Sequence, residues 1–206
     1  GLGESETDTL LKTDAQVVER LHQLLVTLEI KPPYLLVGHS LGGAFIRLFE
    51  AKYPAETAGL VFVDPTDFML TAGENNLAKK ASSSLTGYRE IWTINLKAMA
   101  TDTSMPPGVR YETKRELAAS TPVFFKEYQN LPPLKDIPVT VIISYNKPTE
   151  PYEEQMNKTL KLGINIRPWW KEYDNLRIKH YSELIRNNRY SKLILLPGYS
   201  HGIHCS

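Results

Sequence analysis

The chain has 206 residues, of which 42% are hydrophobic and 23% charged, a composition typical of a globular domain that excludes disordered and collagen-like chains. Its 24 Lys and Arg nearly balance 23 Asp and Glu, so no strong electric field favours a nucleic acid or an anionic membrane as partner. No apolar stretch reaches the roughly 20 residues that span a bilayer, so no membrane span is expected.

The first predicted helix begins after Thr13, which forms a capping box with Gln16 three residues later. Pro32 and Pro33 end this segment. Its apolar residues recur at helical spacing and are expected to share one face. They are Val17, Leu21, Leu24, Leu25 and Leu28.

Three further segments alternate strand and helix signals. The apolar run 34–37 is flanked by turn formers and suits a parallel strand covered by helices. Residues 44–52 are typical of a helix, and 59–63 of another buried strand. Two more such runs, 138–143 and 193–196, lie far downstream. Strands separated by helical connections predict a mostly parallel α/β sheet flanked by helices.

Residues 66–137 form an insertion that is too long for a simple crossover. Helical patterns occur at 88–99 and 111–119, and the region predicts a helical cap over the carboxyl ends of the strands, where open α/β sheets bind ligands. Residues 1–65 and 138–206 are then two parts of one catalytic core. A second helical connection is predicted within 153–190.

Gly38-His39-Ser40-Leu41-Gly42 lies between the strand at 34–37 and the next helix. A Gly-x-Ser-x-Gly motif in this context predicts a sharp turn that lifts the Ser40 hydroxyl above the sheet edge as a nucleophile. The backbone N–H of Leu41 opens the helix and is the predicted oxyanion donor. The alternative is a glycine-rich turn with a passive serine.

The chain resembles the α/β-hydrolase family, and within it the capped branch of lipases, esterases and dehalogenase-like enzymes. Residues 38–64 resemble its nucleophile turn, helix and next strand, Ser200-His201 its last loop, and residues 1–5 its Gly-x-Gly-x-Ser loop. Dehalogenase and epoxide hydrolase relatives use Asp as nucleophile, so Ser40 argues against both activities.

The same resemblance implies that four N-terminal strands, a His-Gly loop with the second oxyanion donor, and the last helix lie outside this sequence. The strand at 34–37 would then be a bare hydrophobic edge. We therefore expect a missing N-terminal segment or a companion chain as partner.

The base is expected to be His201, because a serine nucleophile needs a proton acceptor and this histidine follows the late strand at 193–196. The resemblance implies the same position. His204 is the alternative. His22 and His180 are expected to be surface or packing residues, and His39 to shape the turn.

The acid is expected to be Asp64, which ends the strand after the nucleophile, one of two positions the resemblance allows. The other position, after the strand at 138–143, has no carboxylate before Glu150. Asn146 and Asp67 are further alternatives, and Asp64 could instead be only a turn former.

Together these residues predict a serine hydrolase of carboxylic esters that forms an acyl-enzyme and acts on a small apolar substrate. Lactone, thioester, peptide and carbon–carbon bond hydrolysis use the same parts, and a binding protein that has lost catalysis is the alternative from another class. Trp169 and Trp170 are expected to pack rather than line the acyl pocket. No cofactor or metal site is predicted; Cys205 is the single cysteine, and the sequence leaves the compartment open.

Overall fold

A computed structural model describes residues 6–203 of the chain. Its sheet has four parallel strands in the spatial order β1-β2-β3-β4. The strands are β1 (Tyr34–His39), β2 (Thr57–Val63), β3 (Val139–Tyr145) and β4 (Lys192–Pro197). The predicted parallel α/β sheet is therefore confirmed, and all four predicted strands form.

Helices connect every pair of consecutive strands. They are α1 (Asp14–Thr27), α2 (Leu41–Lys52), α3 (Ala72–Ala81), α4 (Tyr88–Thr101), α5 (Pro107–Ala119), α6 (Pro151–Thr159) and α7 (Ile166–Ile185). Short 3₁₀ turns occur at Pro54–Glu56 and Lys126–Tyr128. Three helices, α3 to α5, thus lie between β2 and β3, within the predicted insertion, although α3 was not expected from the sequence.

Local sequence explains where several helices begin. Thr13 and Thr71 each form a capping box. The threonine hydroxyl accepts from the backbone N–H of the third helical residue, whose side chain accepts from the backbone N–H of the threonine. Pro107 and Pro151 occupy the first position of α5 and α6, where a missing N–H costs nothing. The predicted start of the first helix is therefore confirmed.

The core lies around the two central strands. Leu60 and Phe62 of β2 and Val139, Val141 and Ile143 of β3 are at most 1% exposed. Helices α2 and α7 both pack on the face that these residues share: the Tyr181 ring of α7 lies 5.4 Å from that of Phe62, and a Cβ on Gly43 of α2 would lie 3.2 Å from the Phe62 ring. Residues that alternate with them along the strands, such as Val61 and Ile142, are only partly buried, so the opposite face of the sheet is less covered.

Strand β1 is one edge of the described sheet, and β4 is the other. Leu35 and Val37 are 66% and 63% exposed. The face of β1 that carries them is therefore open, although the sequence predicts a strand covered by helices. Part of the predicted apolar face of α1 is exposed as well: Leu24 and Leu28 are 51% and 58% exposed. The helix packs against the core through Val18 and through the partly buried Ala15 and Leu25.

A buried ion pair joins the inserted helices to the first helix. Arg115 of α5 donates to Asp14, and both side chains are 2% exposed. Tyr128 donates to the other oxygen of Asp14 at 3.0 Å. Within residues 6–203, none of the helices combines the length and apolarity that crossing a membrane requires.

Candidate active site

Ser40 occupies the turn between β1 and α2 in a backbone conformation that is unusual for a serine. Its φ of 54° and ψ of −123° lie outside the regions that L-residues normally adopt. The neighbouring strand and loop hold the turn: Ser40 donates its N–H to Val63, and its carbonyl accepts from Gly43 and Thr66. A strained residue fixed in this way is a feature of functional sites.

Two glycines make the turn possible, but they are not the pair that the motif highlights. A Cβ on Gly38 would lie 2.3 Å from the carbonyl oxygen of Gly42, and a Cβ on Gly43 would lie 2.8 Å from Pro65. A Cβ on Gly42 would meet no described atom within 4 Å. Gly38 and Gly43 are thus the residues that let β1, α2 and the end of β2 approach closely.

Leu41 is the first residue of α2. The first four N–H groups of a helix have no partner within that helix, and the helix dipole places positive potential there. The N–H of Leu41 therefore belongs to a helix end that favours negative charge beside Ser40.

His201 and Asp64 form a close pair at the carboxyl end of the sheet. His201 Nδ1 lies 2.6 Å from Asp64 Oδ2, although the two residues are 137 positions apart. The His201 side chain is 55% exposed, whereas that of Asp64 is 1% exposed. His39 Nε2 donates to the His201 carbonyl at 2.9 Å, so this turn residue also fixes the loop of the candidate base.

The second oxygen of Asp64 is surrounded by donors. Oδ1 accepts from the Ser144 N–H and hydroxyl, both at 2.8 Å, and from Arg177 Nη1 at 3.0 Å. Burial alone would raise the pKa of Asp64, but the His201 hydrogen bond, the Arg177 charge and the Ser144 donors outweigh it and lower that pKa. The carboxylate is held ionised and in one orientation.

The alternative acids have other partners. Glu150 is the N-cap residue of α6, and the backbone N–H of Asn146 donates to Asp174. Asp67 lies 2.8 Å from His180 Nδ1, and Glu74 lies 3.0 Å from Nε2 of the same ring. His204, the alternative base, lies outside the described residues, as do residues 1–5 and Cys205.

His180 is therefore a buried residue in an ion-pair cluster, although it lies on a helix as expected. Burial alone would lower its pKa, but the carboxylates of Asp67 and Glu74 raise the pKa to about 9. This cluster attaches α3 to α7 beside the sheet end.

A cavity of about 300 Å³ opens onto Ser40, Asp64 and His201. Helices α4, α6 and α7 supply most of its wall. Trp169 and Trp170 both line it while also packing against each other, so the expectation of packing alone was incomplete. The part of the chain from residue 6 to residue 203 holds no cluster of three His, Cys, Asp or Glu suited to a metal ion.

Comparison with known proteins identifies the family. The model for the alpha/beta hydrolase family matches residues 1–204. The chain belongs to the alpha/beta hydrolase family. As an alpha/beta hydrolase it has the parallel sheet flanked by helices that the sequence predicts.

Solved structures show the same fold. A crystal structure from Acinetobacter baumannii AYE, provisionally described as a lipase, is similar over 95% of this chain, with 17% identity and a TM-score of 0.51. An esterase from a marine microorganism is similar over 98%, with 15% identity and a TM-score of 0.50. The alpha/beta hydrolase chain described here spans 62% and 75% of these two proteins.

A curated relative shares a shorter stretch. The uncharacterized protein YqjL of Bacillus subtilis is 37% identical over 65 residues, which are 32% of this chain and 26% of YqjL. The alignment therefore covers about a quarter of that relative.

Two residues of the site are absent from the sequence-based expectations. Arg177 and Ser144 hold Asp64, yet no motif links position 177 or 144 to position 64. Ser144 is the next-to-last residue of β3 and the first of the predicted loop at 144–148. The sequence therefore already indicated that Ser144 lies at the carboxyl end of the sheet. Arg177 lies in the middle of α7 and carries no such signal.

Proposed function

We propose that this alpha/beta hydrolase is a serine hydrolase that cleaves carboxylic esters through an acyl-enzyme, with Ser40 as nucleophile, His201 as base and Asp64 as acid. The observation that carries the proposal is the 2.6 Å contact between His201 Nδ1 and Asp64 Oδ2, at the sheet end where Ser40 occupies its strained turn. The solved structures described as a lipase and an esterase have the same fold and are consistent with this proposal.

In the proposed mechanism, Ser40 Oγ attacks the ester carbonyl carbon while His201 Nε2 takes the hydroxyl proton. Asp64 Oδ2 accepts the Nδ1–H, which keeps Nε2 free for that proton and stabilises the imidazolium. The Leu41 N–H donates to the oxyanion. His201 then returns the proton to the departing alcohol.

Water completes the proposed cycle. His201 takes a proton from water, the hydroxide formed attacks the acyl carbon, and the imidazolium protonates Ser40 Oγ as the acid leaves. Helices between residues 66 and 137, together with α6 and α7, act in this proposal as a cap that shields the acyl-enzyme. The cavity wall is supplied largely by these helices, which supports that role.

The test is labelling with a fluorophosphonate probe, which reacts with activated serines. We expect the protein to be labelled and Ser40→Ala to abolish labelling. Ser83→Ala is the matched control, because Ser83 is exposed and, like Ser40, has a positive φ (53°), but lies in the loop after α3. A wild-type protein that is folded but unlabelled would favour the binding-protein alternative.

Substrate class is tested on the same protein with p-nitrophenyl esters of increasing acyl length. Hydrolysis that is lost in Ser40→Ala supports the ester assignment. Labelling without ester hydrolysis would direct the assignment toward the thioester, lactone, peptide or carbon–carbon substrates that use the same residues.

A further inference from the structure

Five aromatic side chains form one continuous wall of the cavity beside Ser40. Tyr88 and Trp92 come from α4, and Trp169, Trp170 and Tyr173 come from α7. The rings of Trp169 and Tyr173 lie 4.5 Å apart and those of Trp169 and Trp170 4.9 Å apart. Tyr88 extends the wall, 6.1 Å from Trp169 and 6.4 Å from Trp92.

The polar atoms of four of these rings form hydrogen bonds with the protein. The indole N–H of Trp169 donates to the Thr86 carbonyl at 2.8 Å, and that of Trp170 donates to Glu153 at 2.7 Å. The Tyr173 hydroxyl donates to Asn75. Trp92 donates to the Ser120 hydroxyl at 3.3 Å.

Two consequences follow from these hydrogen bonds. These four rings are fixed in orientation, because each is anchored at its polar end, and they present carbon rather than donors to a ligand. Sugars and peptides need hydrogen-bonding partners when they are buried, so this wall does not suit them. It suits a flat apolar group that packs face-on or edge-on against rings.

The volume of the cavity further limits which ligands fit. An apolar cavity of roughly 150 Å³ is large enough to bind benzene. The cavity here, about 300 Å³, accommodates one aromatic ring together with the ester group that must reach Ser40.

We propose that the cavity binds a single aromatic ring carried by the acyl or the alcohol part of the ester. This substrate class rests on the proposed function, but ring binding itself does not depend on catalysis. The five aromatic side chains of the wall select the ring.

Binding is measured first, on Ser40→Ala, so that chemistry plays no part. The chain has three tryptophans, and all three line the cavity, so their fluorescence reports on its occupation. The probes are benzyl alcohol and cyclohexylmethanol, which share one carbon skeleton but carry a flat and a puckered ring, respectively. The cyclohexyl compound is at least as apolar, so burial of apolar surface alone gives it no disadvantage.

We expect benzyl alcohol to bind about 2- to 12-fold more tightly than cyclohexylmethanol, because aromatic pairs contribute this much binding free energy beyond the burial of apolar surface. Trp170→Leu, at a half-buried position, and Trp92→Leu should each reduce this ratio. Tyr190→Leu is the control, since Tyr190 is 73% exposed and lies outside the cavity, and it should leave the ratio unchanged. Equal binding, tighter binding of cyclohexylmethanol, or no binding of either alcohol overturns the proposal.

Turnover then shows which side of the ester carries the ring. Ethyl benzoate against ethyl cyclohexanecarboxylate tests the acyl side, and benzyl acetate against cyclohexylmethyl acetate tests the alcohol side. Faster turnover of the aromatic ester in either pair supports the proposal. If neither pair shows faster turnover of the aromatic ester, the proposed substrate class is wrong. Selective binding of benzyl alcohol without ester turnover or fluorophosphonate labelling would instead overturn the proposed function and leave the aromatic binding site supported.

Discussion

Asp64→Asn is a sharp test of the proposed triad, because its surroundings determine which way the new amide points. Three donors converge on the Oδ1 position, from the N–H and hydroxyl of Ser144 at 2.8 Å each and from Arg177 at 3.0 Å. An amide nitrogen there would face only donors, so the amide oxygen must take that place. The NH₂ group then faces His201 Nδ1, 2.6 Å away in the parent protein.

This orientation reverses the proton arrangement of His201. The amide donates to Nδ1, so Nδ1 must accept and the ring proton moves to Nε2, which can then no longer take a proton from Ser40. A serine hydrolase with the wrong tautomer loses about 10⁴-fold in kcat. We expect a loss of roughly 10³- to 10⁴-fold, or about 4 to 5.5 kcal/mol of transition-state stabilisation.

The same change also affects stability. Arg177, whose side chain is 13% exposed, loses the carboxylate that faces Nη1 but keeps Asp174 at 3.0 Å from Nη2. Breaking a buried pair costs about 3 to 5 kcal/mol, and the remaining partner places Asp64→Asn at the lower end of that range. Activity must therefore be measured at a temperature below the thermal unfolding transition of the variant.

Turnover of a small ester gives kcat, and ¹⁵N chemical shifts of the ring nitrogens give the tautomer of His201. The matched control is Asp174→Asn, which removes a second buried carboxylate from the same arginine without touching His201. We expect it to lose less than about tenfold in kcat. Retention of kcat within tenfold by Asp64→Asn, or an equal loss in the control, would refute this reasoning.

Three further predictions follow from the same geometry. Gly38→Ala should destabilise the fold by at least about 1–3 kcal/mol, because its Cβ would meet backbone 2.3 Å away, whereas Gly42→Ala should be tolerated, as thermal unfolding of the two variants will show. Arg177→Gln should move the acid limb of the kcat/KM profile to higher pH, because the Arg177 charge that helps to lower the pKa of Asp64 is lost, while Arg177→Lys, which keeps the charge, should not. His180, with its pKa raised to about 9 from 6.5, stabilises the fold fully below pH 6.5 and loses that contribution, roughly 3 kcal/mol, as the pH rises to 9. Urea unfolding across this range should show the decline, and His180→Gln should remove it.

Each of these predictions has a result that contradicts it. Equal stability of the two glycine variants would mean that the turn does not need the close backbone approach. A pH profile of Arg177→Gln that overlays the parent profile would leave Arg177 a purely structural residue. A decline in stability between pH 6.5 and 9 that persists in His180→Gln would have to come from another group.

Much of the fold is readable from the sequence because its signals are local. The capping box at Thr13 and the apolar strands each depend on residues within a few positions of one another, and each forms as expected. Helix α3 was missed because its exposed residues are mostly polar and only Asn75 and Ala78 are buried, which leaves little apolar periodicity.

The choice of a candidate acid is different in kind. The sequence favoured Asp64, at the end of the strand after the nucleophile, but left Glu150, Asn146 and Asp67 open as alternatives. The partners of these side chains lie far along the chain. Asp64 contacts His201 and Arg177, whereas Asp67 contacts His180. Which carboxylate lies beside which histidine depends on how α7 packs across the strand ends, and no local pattern contains that information.

The sequence by itself therefore determined the parallel sheet, the turn that carries Ser40 and the strand ends at which its partners would have to lie. The tertiary structure decided that Asp64 faces His201 and that Arg177 holds Asp64. It also decided that Trp169 and Trp170 line the cavity rather than only pack. The physical reason is distance along the chain, because periodicity and capping act over a few residues, whereas ion pairs and cavity walls join side chains more than a hundred positions apart.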